Sequence, residues 1–250
     1  MLVFITGATS GIGKSTAEIF AKNGHDLIVT GRREDRLQEL KQKLEKNHNI
    51  SVTILCFDIR DVKAVERAVE SLSANNKKID ILVNNAGLAA GLSSIQEGSL
   101  SHWERMIDTN IKGLLYATKF ISNLMIKNGK GHIINIGSIA GKEVYANGNV
   151  YCATKHAVDA LNKGMRIDLL PYNIKVTAIN PGMVETEFSI VRFDGDEDRA
   201  KKVYMGLQPL SPDDIAETIF WVANRPAHVN INDLVIMPSA QATATNVNRK

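Results

Sequence analysis

The sequence predicts an α/β fold: a doubly wound parallel sheet of seven strands with helices on both faces. Three observations predict it. Short β-branched runs alternate with longer helical stretches along the whole chain. Several of those runs are apolar almost throughout, as strands buried on both faces of a parallel sheet should be. A glycine-rich turn joins the first run to the first helical stretch. Strand followed by helix, repeated this often, implies right-handed crossovers.

The elements follow in order. LVFIT (2–6) leads through TGATSG into a helical stretch over 11–23. DLIVTG (26–31) is the second strand, with a helix over 34–46 behind it. SVTILCF (51–57) is the third, followed by a helix over 61–74. IDILVN (79–84) is the fourth, and the longest helical stretch, 101–127, comes after it. GHIINIG (131–137) is the fifth, followed by a helix over 150–170, and IKVTAIN (174–180) is the sixth. The last helix, over 211–224, opens with Ser211 as N-cap, Pro212 at the first helical position, and Asp213 and Asp214 favouring the helix dipole. DLVIMP (233–238) is the seventh strand. Residues 182–210 form the one long stretch without a clear strand; loops of that length are usually functional or mobile, and it is read as a substrate loop. The tail 239–250 is polar, either loosely held or packed on a partner. With no Pro/Ser-rich linker and no internal repeat, one domain spans 1–250.

Composition narrows the function classes. The chain has 250 residues, 44% hydrophobic and 23% charged, with a formal charge of +3. Its Lys and Arg are mixed with Asp and Glu, which argues against nucleic-acid binding and against a membrane-binding basic patch. Two cysteines, Cys56 and Cys152, make a disulfide framework improbable and fit a reducing compartment. Cys152 reads as a small packed side chain. The six histidines lack metal-ligand spacing, so no metal is expected. No charged leader with an apolar core precedes the first strand, and no apolar run reaches membrane-spanning length. A soluble, cytoplasmic protein acting on a small molecule is the expectation.

Two local patterns point to chemistry. In TGATSGIG, Gly7, Gly11 and Gly13 allow a tight turn whose backbone N–H groups can approach a pyrophosphate at a helix N-terminus. Strand, turn, helix and second strand together favour a dinucleotide. In YCATK (151–155), Tyr151 and Lys155 lie one turn apart on the same helix face. A free phenol titrates near pH ~10, so acid–base work near neutrality needs a positive charge beside it.

The glycine spacing is G-x-x-x-G-x-G. Together with Tyr-x-x-x-Lys, NNAG (84–87), Asn110-Ile-Lys-Gly, Ser138 thirteen residues before Tyr151, and Pro181-Gly182, it resembles the short-chain dehydrogenase/reductase family over most of the chain. The resemblance implies a Rossmann-type fold and hydride transfer with a nicotinamide dinucleotide. It assigns the general acid and base to Tyr151 and the ammonium that lowers its pKa and bonds the nicotinamide ribose to Lys155. Ser138 is the donor to the substrate oxygen, and Asn110 holds a water relay from Lys155 to solvent. It places the dinucleotide on Gly7, Gly11 and Gly13 with Thr9, Ser10 and Ile12 between them. Asp58 and Ile59 lie at the adenine, and Asn85, Ala86 and Gly87 under the adenosine ribose. Pro181, Gly182, Val184 and Thr186 lie over the nicotinamide. Members of the family commonly associate through the Tyr-bearing helix and the long one before it, so a homotetramer is implied. The small residues Ala153, Ala157, Ala160 and Gly164 allow close packing there, inside the monomer or across a dimer face.

NAD-preferring members carry an acid at the end of the second strand. Gly31 stands there instead, and Arg32 and Arg33 follow, so NADP(H) is the expected cofactor, its 2′-phosphate held in charge-assisted forks. TGRREDRLQELK (30–41), VRFDGD (191–196) and HVNIND (228–233) look like the NADP-dependent 3-hydroxy acid dehydrogenases, which act on serine, allo-threonine and 3-hydroxypropionate-like compounds. A carboxylate substrate needs a cation; Arg192 is the candidate and Lys142 the alternative. An uncharged ketone, sugar or steroid-like substrate is the competing enzymatic reading, and a non-catalytic NADP(H)-sensing protein the competing non-enzymatic one.

Overall fold

Alternation inside the nominally all-apolar strands sorts their side chains into two cores. In the computed structural model, which describes residues 1–250, Val3, Ile5, Leu27, Val29, Ile81, Val83, Ile134 and Ile179 face one side of the sheet. Phe4, Ile28, Leu82, Ile133 and Val176 face the other. Successive residues of a strand point to opposite faces, so an uninterrupted apolar run serves both layers. Each large aliphatic side chain so buried contributes roughly 1.5–3 kcal/mol.

The seven strands are β1 (Leu2–Ile5), β2 (Asp26–Gly31), β3 (Val52–Cys56), β4 (Ile81–Asn84), β5 (Gly131–Ile136), β6 (Ile174–Pro181) and β7 (Asp233–Ile236). All pair in parallel, in the order β3-β2-β1-β4-β5-β6-β7. The order reverses between β1 and β4, and it is beyond the carboxyl ends of the strands at such a reversal that open α/β sheets bind ligands. The first core is closed by α1 (Gly11–Lys22), α2 (Glu34–Asn47) and α9 (Pro212–Ala223); the second by α3 (Val62–Glu70), α5 (Leu114–Asn128) and α6 (Asn149–Asp168). The expected seven-stranded parallel sheet with helices on both faces is present. No helix is long and apolar enough to cross a membrane.

Two expected helices end or break early. The stretch 61–74 is helical only to Glu70; the Ser and Asn residues that follow, which compete with the helix for backbone hydrogen bonds, form a turn instead. The stretch 101–127 is interrupted. It divides into α4 (Leu100–Ile107) and α5, joined by a π-turn over Asp108–Gly113. Asn110 sits in that π-turn, buried, and such bulges frequently mark functional sites. At the start of α9, Ser211 and Asp214 form a reciprocal capping box with Pro212 at the first position.

Residues 182–210 contain two short helices, α7 (Phe188–Arg192) and α8 (Glu197–Lys202). The polar tail folds back onto this same stretch. Gln241 Oε1 accepts from the Met183 amide at 2.8 Å, and the Lys250 amide donates to the Gly206 carbonyl at 2.9 Å. Polar residues without an apolar period can still be fixed by pairing with backbone groups of another loop.

Candidate active site

The glycine turn is shaped for close backbone approach. Gly7 and Gly11 have φ of 68° and 52°, in the left-handed region that favours glycine. A Cβ on Gly13 would stand 2.4 Å from both the Gly7 carbonyl oxygen and Asn85 Nδ2. Asn85 Nδ2 in turn donates to the carbonyls of Thr6 at 2.9 Å and Gly7 at 3.0 Å, which ties the end of β4 to the turn after β1. The switch point is thus held open by hydrogen bonds and by the lack of side chains.

A cleft of about 520 Å³ begins at this turn and runs along the carboxyl ends of the strands. Of the residues expected at the cofactor, Gly7, Thr9, Ser10, Gly11, Ile12, Arg32, Arg33, Asp58 and Ile59 line it at one end. Asn85, Ala86, Gly87, Pro181, Gly182, Val184 and Thr186 line it too, with Ala86 against Gly7 and Thr186 against Gly11, and so do Ser138, Tyr151, Lys155 and Arg192. Gly13 and Asn110 stand behind its wall. The length of the cleft, the glycine cradle and the arginines at one end fit a phosphorylated dinucleotide.

The two arginines differ in their surroundings. The Arg32 guanidinium is exposed and makes no hydrogen bond within the chain. Arg33 is already engaged: Nε and Nη2 donate to Thr9 Oγ1 at 3.2 and 2.7 Å, Nη2 to Ser10 Oγ at 3.0 Å, and Nη1 to Glu187 Oε2 at 3.1 Å. Gly31 has a packing role as well, since a Cβ there would meet Thr9 Cγ2 at 2.7 Å. Beside them, Arg60 holds the Asp58 carboxylate at 2.6 Å, and its hydrogen bonds keep that carboxyl below its usual range.

Tyr151 and Lys155 share one face of α6, as their spacing requires. Both are buried, 8% and 7% exposed. Lys155 Nζ donates to the Ile136 carbonyl at 2.9 Å and lies 6.0 Å from the Tyr151 ring centroid. Burial pushes its ammonium down to about 8. Burial pushes the Tyr151 phenol up and nearby Tyr145 adds to that, while the Ser138 hydroxyl and the Arg192 charge pull it down. In the free protein, therefore, desolvation outweighs the Ser138 hydroxyl and the Arg192 charge. Ser138, besides facing Tyr151, accepts from the Ala140 amide at 3.1 Å and caps a short turn. The Asn110 side chain is a clamp: Oδ1 accepts from the Leu88 amide at 2.8 Å, and Nδ2 donates to the Leu88 carbonyl at 2.8 Å and Thr154 Oγ1 at 3.0 Å.

Arg192 reaches the cleft beside Tyr151. Nε donates to the Gly91 carbonyl at 3.2 Å and Nη2 to the Tyr145 hydroxyl at 3.1 Å, and the guanidinium carbon is 5.7 Å from the Tyr151 ring centroid. Its Nη1 donors have no partner in the chain, so a fork remains for an anion. Lys142 does not serve as the alternative cation. Its ammonium is held by Asp159 at 2.6 Å and by Asp233, outside the cleft. Cys152 is fully buried, and no cluster of His, Cys, Asp and Glu gathers as a metal site.

Several residues of the site carry no sequence signal. Tyr145 bonds Arg192, Phe188 packs edge-on against Tyr151 at 5.7 Å between centroids, and Gln241 and Ala244 enter the cleft from the tail. Tyr204 joins the Ser189 hydroxyl at 2.7 Å to the Val184 carbonyl at 2.9 Å. None of these belongs to a local motif.

Residues 1–196 match the family model described as short chain dehydrogenase. Over 98% of its length the chain is 49% identical to the NADP-dependent 3-hydroxy acid dehydrogenase YdfG of Salmonella typhi, covering 97% of that relative. It is 44% identical to the serine 3-dehydrogenase of Agrobacterium fabrum, across 97% of this chain and 95% of that one. Among solved structures it is similar to the closed form of serine dehydrogenase complexed with NADP+, 48% identical over the full length of both, with a TM-score of 0.93.

Proposed function

The chain belongs to the short-chain dehydrogenase family and is an oxidoreductase, and from that premise we propose that it moves a hydride between NADP(H) and a small 3-hydroxy acid. The observation that carries this reading is the Arg192 guanidinium, with free donors, beside Tyr151 in the cleft that begins at the glycine turn. A charge-assisted fork there suits a carboxylate. The likeness to NADP-dependent relatives and the exposed Arg32 guanidinium support the phosphorylated cofactor.

When bound, the nicotinamide supplies or accepts the hydride at the substrate carbon. The residues of this chain do the rest. Arg192 holds the acid group and so sets which carbon faces the cofactor. Ser138 donates to the carbonyl oxygen. Tyr151 delivers the proton to the developing oxyanion, and takes it back in alcohol oxidation. The Lys155 ammonium and the oxidised nicotinamide lower the phenol pKa by opposing the effect of burial. A water relay at Asn110 would use the backbone of the π-turn, because its side-chain amide is paired with Leu88 and Thr154.

A homotetramer is part of the proposal. Ala153 and Ala160 are exposed, Ala157 and Gly164 half-buried, and apart from the adjoining helix backbone nothing in the chain stands within 4 Å of where a Gly164 Cβ would be. The small-residue stripe of α6 is therefore open in one chain, which supports its use across a subunit face; light scattering measures the assembly directly.

The test is a cofactor-linked absorbance assay on purified protein. Serine, allo-threonine and 3-hydroxypropionate are run beside uncharged alcohols, with NADP and with NAD. Turnover confined to the acids and NADP is expected. Turnover only on uncharged substrates would remove the carboxylate pocket, and tight NADPH binding with no turnover at all would favour a sensor.

A further inference from the structure

The stretch from Glu187 to Asp194 is fastened at both ends by ionic contacts that the hydride-transfer reading leaves unused. At its start, Glu187 Oε1 accepts from Arg36 Nη1 at 2.7 Å, and Oε2 accepts from Arg33 Nη1 at 3.1 Å. At its end, Asp194 takes Arg105 Nη2 at 3.1 Å and His102 Nε2 at 3.2 Å. Between them runs α7, five residues long, whose last residue is Arg192. A helix this short does not hold itself; its place is set by contacts outside it.

We propose that the Arg36–Glu187 pair is a strap that holds α7 over the dinucleotide cleft and thereby positions Arg192 against the substrate. Three observations support it. The Arg36 guanidinium makes no hydrogen bond other than the one to Glu187, so this contact is what its charge does in the chain. Arg33 continues the connection, since its other edge is bonded to Thr9 and Ser10 of the glycine turn. A continuous path thus runs from the phosphate-binding turn through Arg33 and Glu187 to α2, with α7 tied to its middle. One carboxylate against two guanidinium groups also leaves net positive charge at this end of the cleft. The strap can close without cancelling the field proposed to hold the 2′-phosphate. Arg36 and Glu187 are positioning residues, acting through Arg192.

The proposal rests on the reading of Arg192 as the acid-binding group, so its test has a second readout that does not. Amide hydrogen exchange at Val191 and Phe193, whose N–H groups donate to the Glu187 and Ser189 carbonyls, is followed in the NADPH-saturated protein. Arg36→Gln and Glu187→Gln are each expected to speed it about fivefold, the upper end of what a part-exposed ion pair contributes. The double variant should be no faster than Glu187→Gln alone, because that change already removes the only contact Arg36 makes. Unchanged exchange, or two effects that multiply, would overturn the strap. In turnover, Arg36→Gln should raise KM for 3-hydroxypropionate by a similar factor with kcat retained. An unchanged KM beside faster exchange would overturn the positioning role. Should the unaltered protein turn over no acid, the reading of Arg192 falls and the exchange rates alone decide the strap.

Discussion

Replacing Lys155 by Met should make the cofactor-free protein more stable while nearly abolishing turnover. The ammonium is 7% exposed, and its one hydrogen bond is to the Ile136 carbonyl. Burial lowers its pKa from the usual 10.5 to about 8. At 1.36 kcal/mol per unit, keeping that charge buried near neutrality costs about 3 kcal/mol. Methionine fills similar space without the charge and forfeits a charge-assisted hydrogen bond worth about 1.5–3 kcal/mol. The net expectation is a gain of up to about 2 kcal/mol near neutral pH. The pH dependence follows from the direction of the shift. Because the folded pKa lies below the unfolded one, the parent carries the full penalty below about 8 and sheds it as pH rises toward 10.5. The methionine variant has no such slope from this position, so its advantage narrows with rising pH. Urea unfolding of both proteins without cofactor, at equal concentration, near pH ~7 and again near pH ~10, measures it. A variant less stable than its parent at neutral pH, or a gap that ignores pH, would refute the reasoning.

Other expectations come from the same geometry. Arg192→Ala should raise KM for 3-hydroxypropionate about 10- to 100-fold, the range for losing a charge-assisted hydrogen bond, and leave an uncharged alcohol nearly unaffected. Steady-state kinetics on the pair of substrates checks this, and an equal effect on both would count against the pocket. Gly31→Asp places a carboxylate against Thr9 and next in sequence to Arg32, so the ratio of kcat/KM for NADP over NAD should fall at least about tenfold. An undiminished ratio would contradict that assignment. Because burial holds the Tyr151 phenol above its ordinary range, the phenolate needed for alcohol oxidation gains population as pH rises. The oxidation rate should therefore climb with pH up to the phenol pKa in the cofactor complex, and a flat alkaline profile would weigh against Tyr151 as the base.

The strands were legible because both of their faces are buried, so Val3, Phe4 and Ile5 read as one apolar run whichever core each serves. The glycine turn was legible for a local reason too: its backbone geometry excludes side chains within a few residues of sequence. Asn110 stood out as a poor helix former, yet the π-turn around it depends on Leu88 and Thr154, which no window on that helix contains. Lys142 misled because nearness to Ser138 in sequence says nothing of Asp159 and Asp233, which α6 and β7 bring to its ammonium. Tyr145, Glu187, Arg36 and Gln241 were silent for the same reason. A single polar residue in a loop has no period, and its role exists only once distant segments meet.

The central claim is that Tyr151 moves the proton that hydride transfer requires. Tyr151→Phe removes one hydroxyl and keeps the ring that packs against Phe188. NADPH binding, read by fluorescence titration, should be nearly unchanged, and turnover should drop at least about 100-fold in both directions. A phenylalanine variant that binds NADPH and turns over at the parent's rate would contradict the account.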